Sequence, residues 1–223
     1  FALVAATLAA YGPAIAGGFI WDDDSYLTGN VLLHDLDGLR RLWVPGNTPQ
    51  YYPAVFTSFW IEHLVWGLHP AGYHLVNIAL HALNALLVWR LGRALRLPGA
   101  WFVGALFALH PVQVESVAWI TERKNVLSGL LYLCAAAAYL RWSSVPRRPV
   151  GPRARTWRFE EGALPWIAMA LYACALLSKT VTATLPVALA VVLWWKRRYS
   201  WSVDTPVLGA MLVAGAAMGK LTS

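Results

Sequence analysis

The chain has 223 residues, of which 58% are hydrophobic and only 13% charged. Soluble domains carry about 25% charged residues, so this composition excludes an ordinary water-soluble enzyme and points to an integral membrane protein. The net charge of +7 would suit nucleic acid, but the placement of the basic residues makes it a topology signal and excludes that partner.

Phe1–Ile20 carries no charge and is long enough to cross a bilayer. It lacks the basic start and cleavage site of a secretory signal and reads as a retained span. A chain beginning on Phe reads as part of a longer protein. Further apolar runs predict spans near 73–92, 98–114, 125–142, 163–178, 181–195 and 205–221. Cys134 and Cys174 lie within such runs and read as unpaired small core residues. Several tryptophans, including Trp21, Trp101, Trp142, Trp194 and Trp195, fall near span ends, as interfacial belts require.

Directly after the first span comes Trp21-Asp22-Asp23-Asp24-Ser25-Tyr26. Adjacent carboxylates at the mouth of a span repel one another, so function explains them better than packing does. Three readings are open. One carboxylate is a general base and its neighbour orients it; the cluster holds a divalent metal through Asp22 and Asp23; or the aspartates cap a helix. Loop carboxylates of this kind are expected not to hold the core. The rest of the first outer loop, residues 21–72, contains Leu32–Val44, where apolar residues mix with Asp35, Asp37, Arg40 and Arg41, and the aromatic-rich Pro53–Leu68; both read as interfacial helices, with a re-entrant or partly spanning second segment as the alternative. Pro45-Gly46-Asn47-Thr48-Pro49 is the turn between them.

In the second span His74, Asn77, His81 and Asn84 recur on one helical face. Such a stripe must turn toward other helices, and interhelical hydrogen bonding accounts for it. His110-Pro111-Val112-Gln113-Val114-Glu115 follows the third span, and Glu122-Arg123-Lys124-Asn125 opens the fourth. If residues 112–124 form one helix, Glu115, Trp119 and Glu122 share a face. Arg123 and Lys124 suit a phosphate on a lipid head, while surface ion pairing with Glu122 is the competing account. The Pro- and Arg-rich segment 143–160 reads as a cytoplasmic linker. Lys179 stands alone in a long apolar stretch, either as an interfacial anchor or as another phosphate contact.

Arg90, Arg93 and Arg96, then Arg141, Arg147, Arg148, Arg153, Arg155 and Arg158, then Lys196, Arg197 and Arg198 all fall on one side of this topology. That side is expected to be cytoplasmic. Asp22, Asp23, Asp24, Asp35, Asp37, Glu62, Glu115 and Glu122 fall on the other, facing a periplasm or lumen.

Trp21-Asp22-Asp23-Asp24-Ser25-Tyr26-Leu27 with Asn30 resembles the acidic first-loop motif of GT-C fold glycosyltransferases. His110–Ile120 followed by Arg123-Lys124-Asn125 is similar to the membrane domain of transmembrane and tetratricopeptide-repeat-containing O-mannosyltransferases and their bacterial relatives. The resemblance covers nearly the whole chain. It implies an all-α polytopic helix bundle, residues 1–223 being part of a GT-C-like membrane domain. Its outer catalytic loop would be 21–72, with any repeats lying beyond Ser223. It further implies transfer of a hexose, mannose among the candidates, from a polyprenyl phosphate to a hydroxyl of a protein or glycan at the outer face. A bacterial inner membrane with a periplasmic or external site is the expected location. The family pattern places Asp22, Asp23 and Glu115 among the catalytic acids and gives the donor phosphate to Arg123, Lys124 and Lys179. Asp24, His110 and Glu122 are auxiliary polar residues. Metal dependence varies among such relatives, so a divalent ion stays open. The competing functions are an ion-coupled transporter using the His74–Asn84 stripe and a non-catalytic scaffold that binds lipid-linked sugar.

Overall fold

The computed structural model describes residues 1–144 and 159–222, with the backbone alone at 159–161. Among these residues every regular element is helical. The protein is an all-α membrane bundle, and Pro70–Ala94, Ile120–Ser144 and Asp204–Thr222 are long and apolar enough to cross a bilayer. The bundle comprises α1 (Ala2–Tyr11), α4 (Pro70–Ala94), α5 (Ala100–Leu109), α7 (Arg123–Ser144), α8 (Phe159–Leu176), α9 (Leu185–Trp195) and α10 (Asp204–Thr222). Between α1 and α4 lie the short α2 (Leu36–Leu42) and α3 (Pro53–Trp66), and α6 (Val114–Ala118) precedes α7. Most of the linker expected over 143–160, with Arg147, Arg148, Arg153, Arg155 and Arg158, lies outside the described residues.

The third expected span, 98–114, is shorter than its apolar run. Helix α5 has 10 residues, about 15 Å at 1.5 Å per residue, half the thickness of a hydrocarbon core. Pro111 explains the stop: it disfavours helical backbone at the preceding residue, and His110 is extended at φ −67°, ψ 130°. The single helix entertained for 112–124 is likewise absent. A 3-10 turn at Pro111–Gln113, α6, an extended Trp119 and a second 3-10 turn at Ile120–Glu122 replace it. Glu115, Trp119 and Glu122 therefore do not form one helical stripe.

Breaking the helix there frees backbone carbonyls that need partners, and the polar stripe of α4 supplies some of them. The Asn77 amide donates to the carbonyls of Trp119 (3.0 Å) and Ile120 (3.3 Å). His81 Nε2 pairs with the carbonyl of Ala108 at 3.0 Å, and Asn84 donates to that of Val126 at 2.8 Å. All four stripe residues are buried. Through Asn77, His81 and Asn84 the stripe joins α4 to neighbouring segments.

Helices α2 and α3 fold back over the end of the bundle. Asp35 caps α2 by accepting from the Gly38 N–H at 2.6 Å, and Asp37 and then Arg40 and Arg41 match the helix dipole. Helix α3 buries Val55, Phe56 and Phe59 against Tyr26, Leu33, Leu42 and Tyr73. Its opposite face exposes Ile61, Leu64 and Val65, an apolar stripe that fits the interfacial placement read from sequence. A second core, built from Tyr139, Tyr172, Leu189, Leu193 and Met211, holds α7–α10 together.

One buried ion pair ties the loop to the bundle. Arg123, fully buried at the start of α7, pairs with Glu62 on α3. Its Nε donates to Asn77 Oδ1, and its terminal nitrogens donate to both Glu62 oxygens, to Ser58 Oγ at 3.4 Å and to the Tyr73 carbonyl at 3.0 Å. All five guanidinium donors are thereby used. Burial pushes the Glu62 carboxyl upward, and Arg123 pulls it back.

Removing one partner of such a pair leaves an uncompensated buried charge. Glu62→Gln is expected to destabilise the detergent-solubilised protein by roughly 3–5 kcal/mol. Arg123→Lys should also destabilise it, because lysine cannot reproduce the fork. Denaturant midpoints followed by circular dichroism measure both, and an unchanged midpoint in Glu62→Gln would show that the pair holds nothing together.

Candidate active site

Residues 121–125, Lys179 and the acidic segment 22–26 meet at the same end of the bundle. The acidic segment follows Gly17-Gly18-Phe19-Ile20, which has no helix. A tight turn closes with the Asp23 N–H bonded to the Ile20 carbonyl at 2.9 Å. A π-helical turn, Asp24–Thr28, follows, with the Gly29 N–H reaching the Asp24 carbonyl at 2.7 Å. Consecutive residues through these turns point in different directions, and the three aspartates have three environments.

Asp23 is fully buried. Its Oδ2 accepts from the Ile20 N–H at 2.9 Å and its Oδ1 from the Thr121 N–H at 3.0 Å, across 98 positions of sequence. Burial raises its pKa, and the two backbone donors oppose that rise. The expectation that loop carboxylates leave the core alone is therefore corrected for Asp23, which staples the loop to the start of α7. Asp22 and Asp24 are exposed. Asp24 accepts from the Thr28 hydroxyl at 2.8 Å, a local contact of its turn, so among the described residues the side chain of Asp22 alone of the three is both exposed and not engaged in a local hydrogen bond. Asn30, the last residue of the acidic motif, holds the following turn through Leu32 N–H and the Tyr26 carbonyl.

Beside the staple lies a polar cluster. Lys124 Nζ is 2.8 Å from Glu122 Oε1 and 5.8 Å from the centre of the Tyr26 ring. Asn125 accepts from Lys179 Nζ, donates to Glu122 Oε2 and donates to Ser116 Oγ at 2.9 Å. Asn125 thus joins α6, α7 and the loop after α8, and sequence reading assigned it no role of its own. The signal was there: it directly follows two basic residues and opens the apolar run of α7. The N-terminus of α3 is tied to the same place, because the Ala54 N–H bonds the Leu177 carbonyl at 3.2 Å.

Lys179 is only partly exposed. Burial lowers its pKa, the charge of Glu122 raises it, Lys124 lowers it and Glu115 raises it. Glu115 is itself exposed and acts on the cluster through space. His110 is exposed at the end of α5, where its Nδ1 accepts from the Val112 N–H at 3.2 Å, a capping role. Asn125 also lines a cleft of about 220 Å³ whose walls carry the hydroxyls of Ser128, Tyr132, Thr182 and Thr184. The two expectations for Arg123 and Lys124 separate here. Arg123 spends every donor on the core, whereas Lys124 and Lys179 each retain N–H donors beyond their single acidic or amide partner.

Among the described residues, no group of three or more His, Cys, Asp or Glu side chains is placed to hold a metal ion. Asp23 turns inward and uses both oxygens on backbone, so it does not pair with Asp22 around a common point.

No family model and no solved structure matches the chain. Curated relatives do match. The chain is 32% identical over 163 residues to the protein O-mannosyl-transferase TMTC2 of Mus musculus, covering 67% of this chain and 19% of that protein. It is 35% identical over 145 residues to the protein O-mannosyl-transferase Tmtc1 of Drosophila melanogaster, covering 59% and 17%. A third match, Tmtc2 of Drosophila melanogaster, is 29% identical and extends over 93% of this chain and 23% of that protein. The chain resembles these transferases and spans about a fifth of their length.

Asp23→Asn replaces one of two acceptors with a donor and leaves one buried N–H unpaired. It is expected to cost about 1–3 kcal/mol, whereas Asp22→Asn should leave the unfolding midpoint within about 0.5 kcal/mol of the parent. Equal midpoints for the two variants would deny Asp23 its stapling role.

Proposed function

We propose that this chain carries the donor-binding and base side of a GT-C-type glycosyltransferase. It moves a hexose, mannose by the names of its relatives, from a polyprenyl phosphate to a hydroxyl of a protein at the outer membrane face. The observation that carries this reading is the meeting of an exposed carboxylate, Asp22, with two lysines, Lys124 and Lys179, at one end of the bundle. The Asp23–Thr121 bond and the Lys124–Tyr26 contact bring the two groups of residues together.

The chemistry follows from those residues. Bond cleavage at the anomeric carbon leaves negative charge on the lipid phosphate, and fixed cations stabilise charge that develops there. Lys124 and Lys179 supply the cations, and Glu122 and Asn125 hold them in place. Asp22 takes the proton from the incoming hydroxyl. Asp23 acts indirectly by fixing the turn on which Asp22 sits. Glu115 tunes the charge of Lys179 from outside the cluster. Arg123 braces the helix from which Lys124 projects. The proposed setting is a bacterial inner membrane with the site facing the periplasm, and the clustering of basic loops on the side expected to be cytoplasmic supports that orientation.

Three results test it. Asp22→Asn should lower transfer by about two to four orders of magnitude while donor binding stays within twofold. Lys179→Gln should weaken binding of a polyprenyl-phosphate sugar about ten- to a hundredfold, the value of one charged hydrogen bond. Because burial lowers the pKa of Lys179, its cation is lost on the alkaline side below the ordinary lysine range. Donor affinity should therefore fall as pH rises through that titration, and Lys179→Arg should move the fall to higher pH. Full transfer by Asp22→Asn, or donor affinity indifferent to Lys179, would reject the reading.

A further inference from the structure

Trp21 sits in a conformation that its residue type disfavours. Its φ is +48°, in the left-handed region, where a bulky side chain crowds the backbone. Among the described residues, the other two non-glycine residues with positive φ, Arg96 and Arg197, close helices. There the Leu97 N–H reaches the Gly92 carbonyl at 2.9 Å and the Arg198 N–H the Leu193 carbonyl at 2.8 Å, the bonds of ordinary helix ends. Trp21 closes no helix. It occupies the first central position of the Ile20–Asp23 turn, where glycine would be free of strain.

The surroundings hold this indole in one place and leave it uncovered. Asp23 binds the Ile20 N–H on one side of Trp21 and the Thr121 N–H two residues beyond Trp119. The two tryptophans are thereby brought edge to face, with ring centres 5.0 Å apart and planes at 80°. Trp21 is nevertheless 76% exposed. Among the described residues the buried indole N–H of Trp119 has no acceptor. A strained, fixed and exposed aromatic beside reactive groups marks a binding surface rather than packing.

We infer that Trp21 and Trp119 form a platform for a pyranose ring, placed beside Asp22 and the lysine cluster. This rests on the transferase reading and names the part of the site that would hold the sugar. The C–H face of a pyranose is apolar and buries well against an indole face. Its rim of hydroxyls needs acceptors, and the exposed Asp22 and Asp24 carboxylates provide them. The same composition argues against a membrane anchor at this position. An indole seated in the lipid interface would draw two flanking exposed carboxylates toward low dielectric, at a cost in free energy.

The test uses the full-length protein labelled with 5-fluorotryptophan in phosphatidylcholine nanodiscs. Fluorine resonances of Trp21, Trp119 and Trp194 are assigned from their loss in the corresponding Phe variants. Titration with methyl α-mannopyranoside should shift the Trp21 and Trp119 resonances saturably. Trp21→Gly relieves the left-handed strain, so the protein should fold with an unchanged or higher unfolding midpoint. Read at Trp119, its sugar affinity should nonetheless drop at least tenfold, and Trp21→Tyr should keep most of it. Absence of any sugar-dependent shift at Trp21 overturns the platform. So does broadening of Trp21 by spin-labelled lipid as strong as that of Trp194, which would make it a membrane anchor. Transfer assayed on the same samples separates the two ideas. A donor KM equal in the parent and in Trp21→Gly defeats the platform alone, whereas a sugar-dependent shift in a parent that transfers nothing defeats the transferase reading alone.

Discussion

The rest of the structure depends on a guanidinium taken out of water. Arg123 has no exposed surface and sits where α3, α4 and α7 converge, bonded to Glu62, Ser58, Asn77 and the Tyr73 carbonyl. Stripping water from a cation is costly, and the cost is offset only where geometry and further hydrogen bonds are good. With every N–H of the fork taken, that condition is met. The ring of Phe59 adds a face 5.2 Å from the guanidinium carbon. Because these partners come from two other helices, the interaction fixes the outer loop against the bundle more firmly than apolar contact would, since apolar contact has no direction.

The lysine cluster follows from that choice. Neighbouring residues on an α-helix are rotated by about 100° from one another. Once Arg123 is committed to the interior, Lys124 and Asn125 must leave α7 in other directions. Lys124 emerges beside Tyr26, and Asn125 beside Lys179 and Ser116. A run that reads as one basic patch is thus divided between the core and the site. The aspartates undergo the same division, in a turn rather than a helix: Asp23 faces inward and accepts two backbone N–H groups, and Asp22 faces out. In both cases one member of an adjacent pair is bonded into the frame, Asp23 and Arg123, and its neighbour is aimed elsewhere: Asp22 to the surface and Lys124, largely buried, to Glu122.

The broken segment between α5 and α7 makes this arrangement possible. A continuous helix through 110–125 would have satisfied its own carbonyls and left Asn77 without a role. The Pro111 break exposes the carbonyls of Trp119 and Ile120, Asn77 takes them, and the same Asn77 accepts from Arg123. The extended Trp119 also places the Thr121 N–H where Asp23 reaches it. Asn77, Arg123, Glu62 and the carbonyls of the broken segment here form one connected system.

Much of this was determined by the sequence by itself. Long uncharged runs place helices, because a backbone in hydrocarbon must bond to itself. Thus the bundle, the long first loop with its two short helices, and the gathering of acids and bases at one end are legible residue by residue. So is the α4 stripe, since four polar side chains on one helical face within apolar surroundings have to find other helices. What only the tertiary structure decided is which member of each adjacent pair turns inward. Asp23 finds its partner 98 residues away at Thr121, Arg123 finds Glu62 at a separation of 61, and Lys179 meets Asn125 at a separation of 54. Local spacing carries no information about such partners, because they are set by how the loop closes over the helices. The roles of Asp22 against Asp23 and of Lys124 against Arg123 are therefore a product of long-range packing. Adjacent residues of like charge separate only when packing gives them different partners: Asp23 is buried on backbone N–H groups while Asp22 stays exposed, and Arg123 is bonded into the core while Lys124, also largely buried, pairs with Glu122.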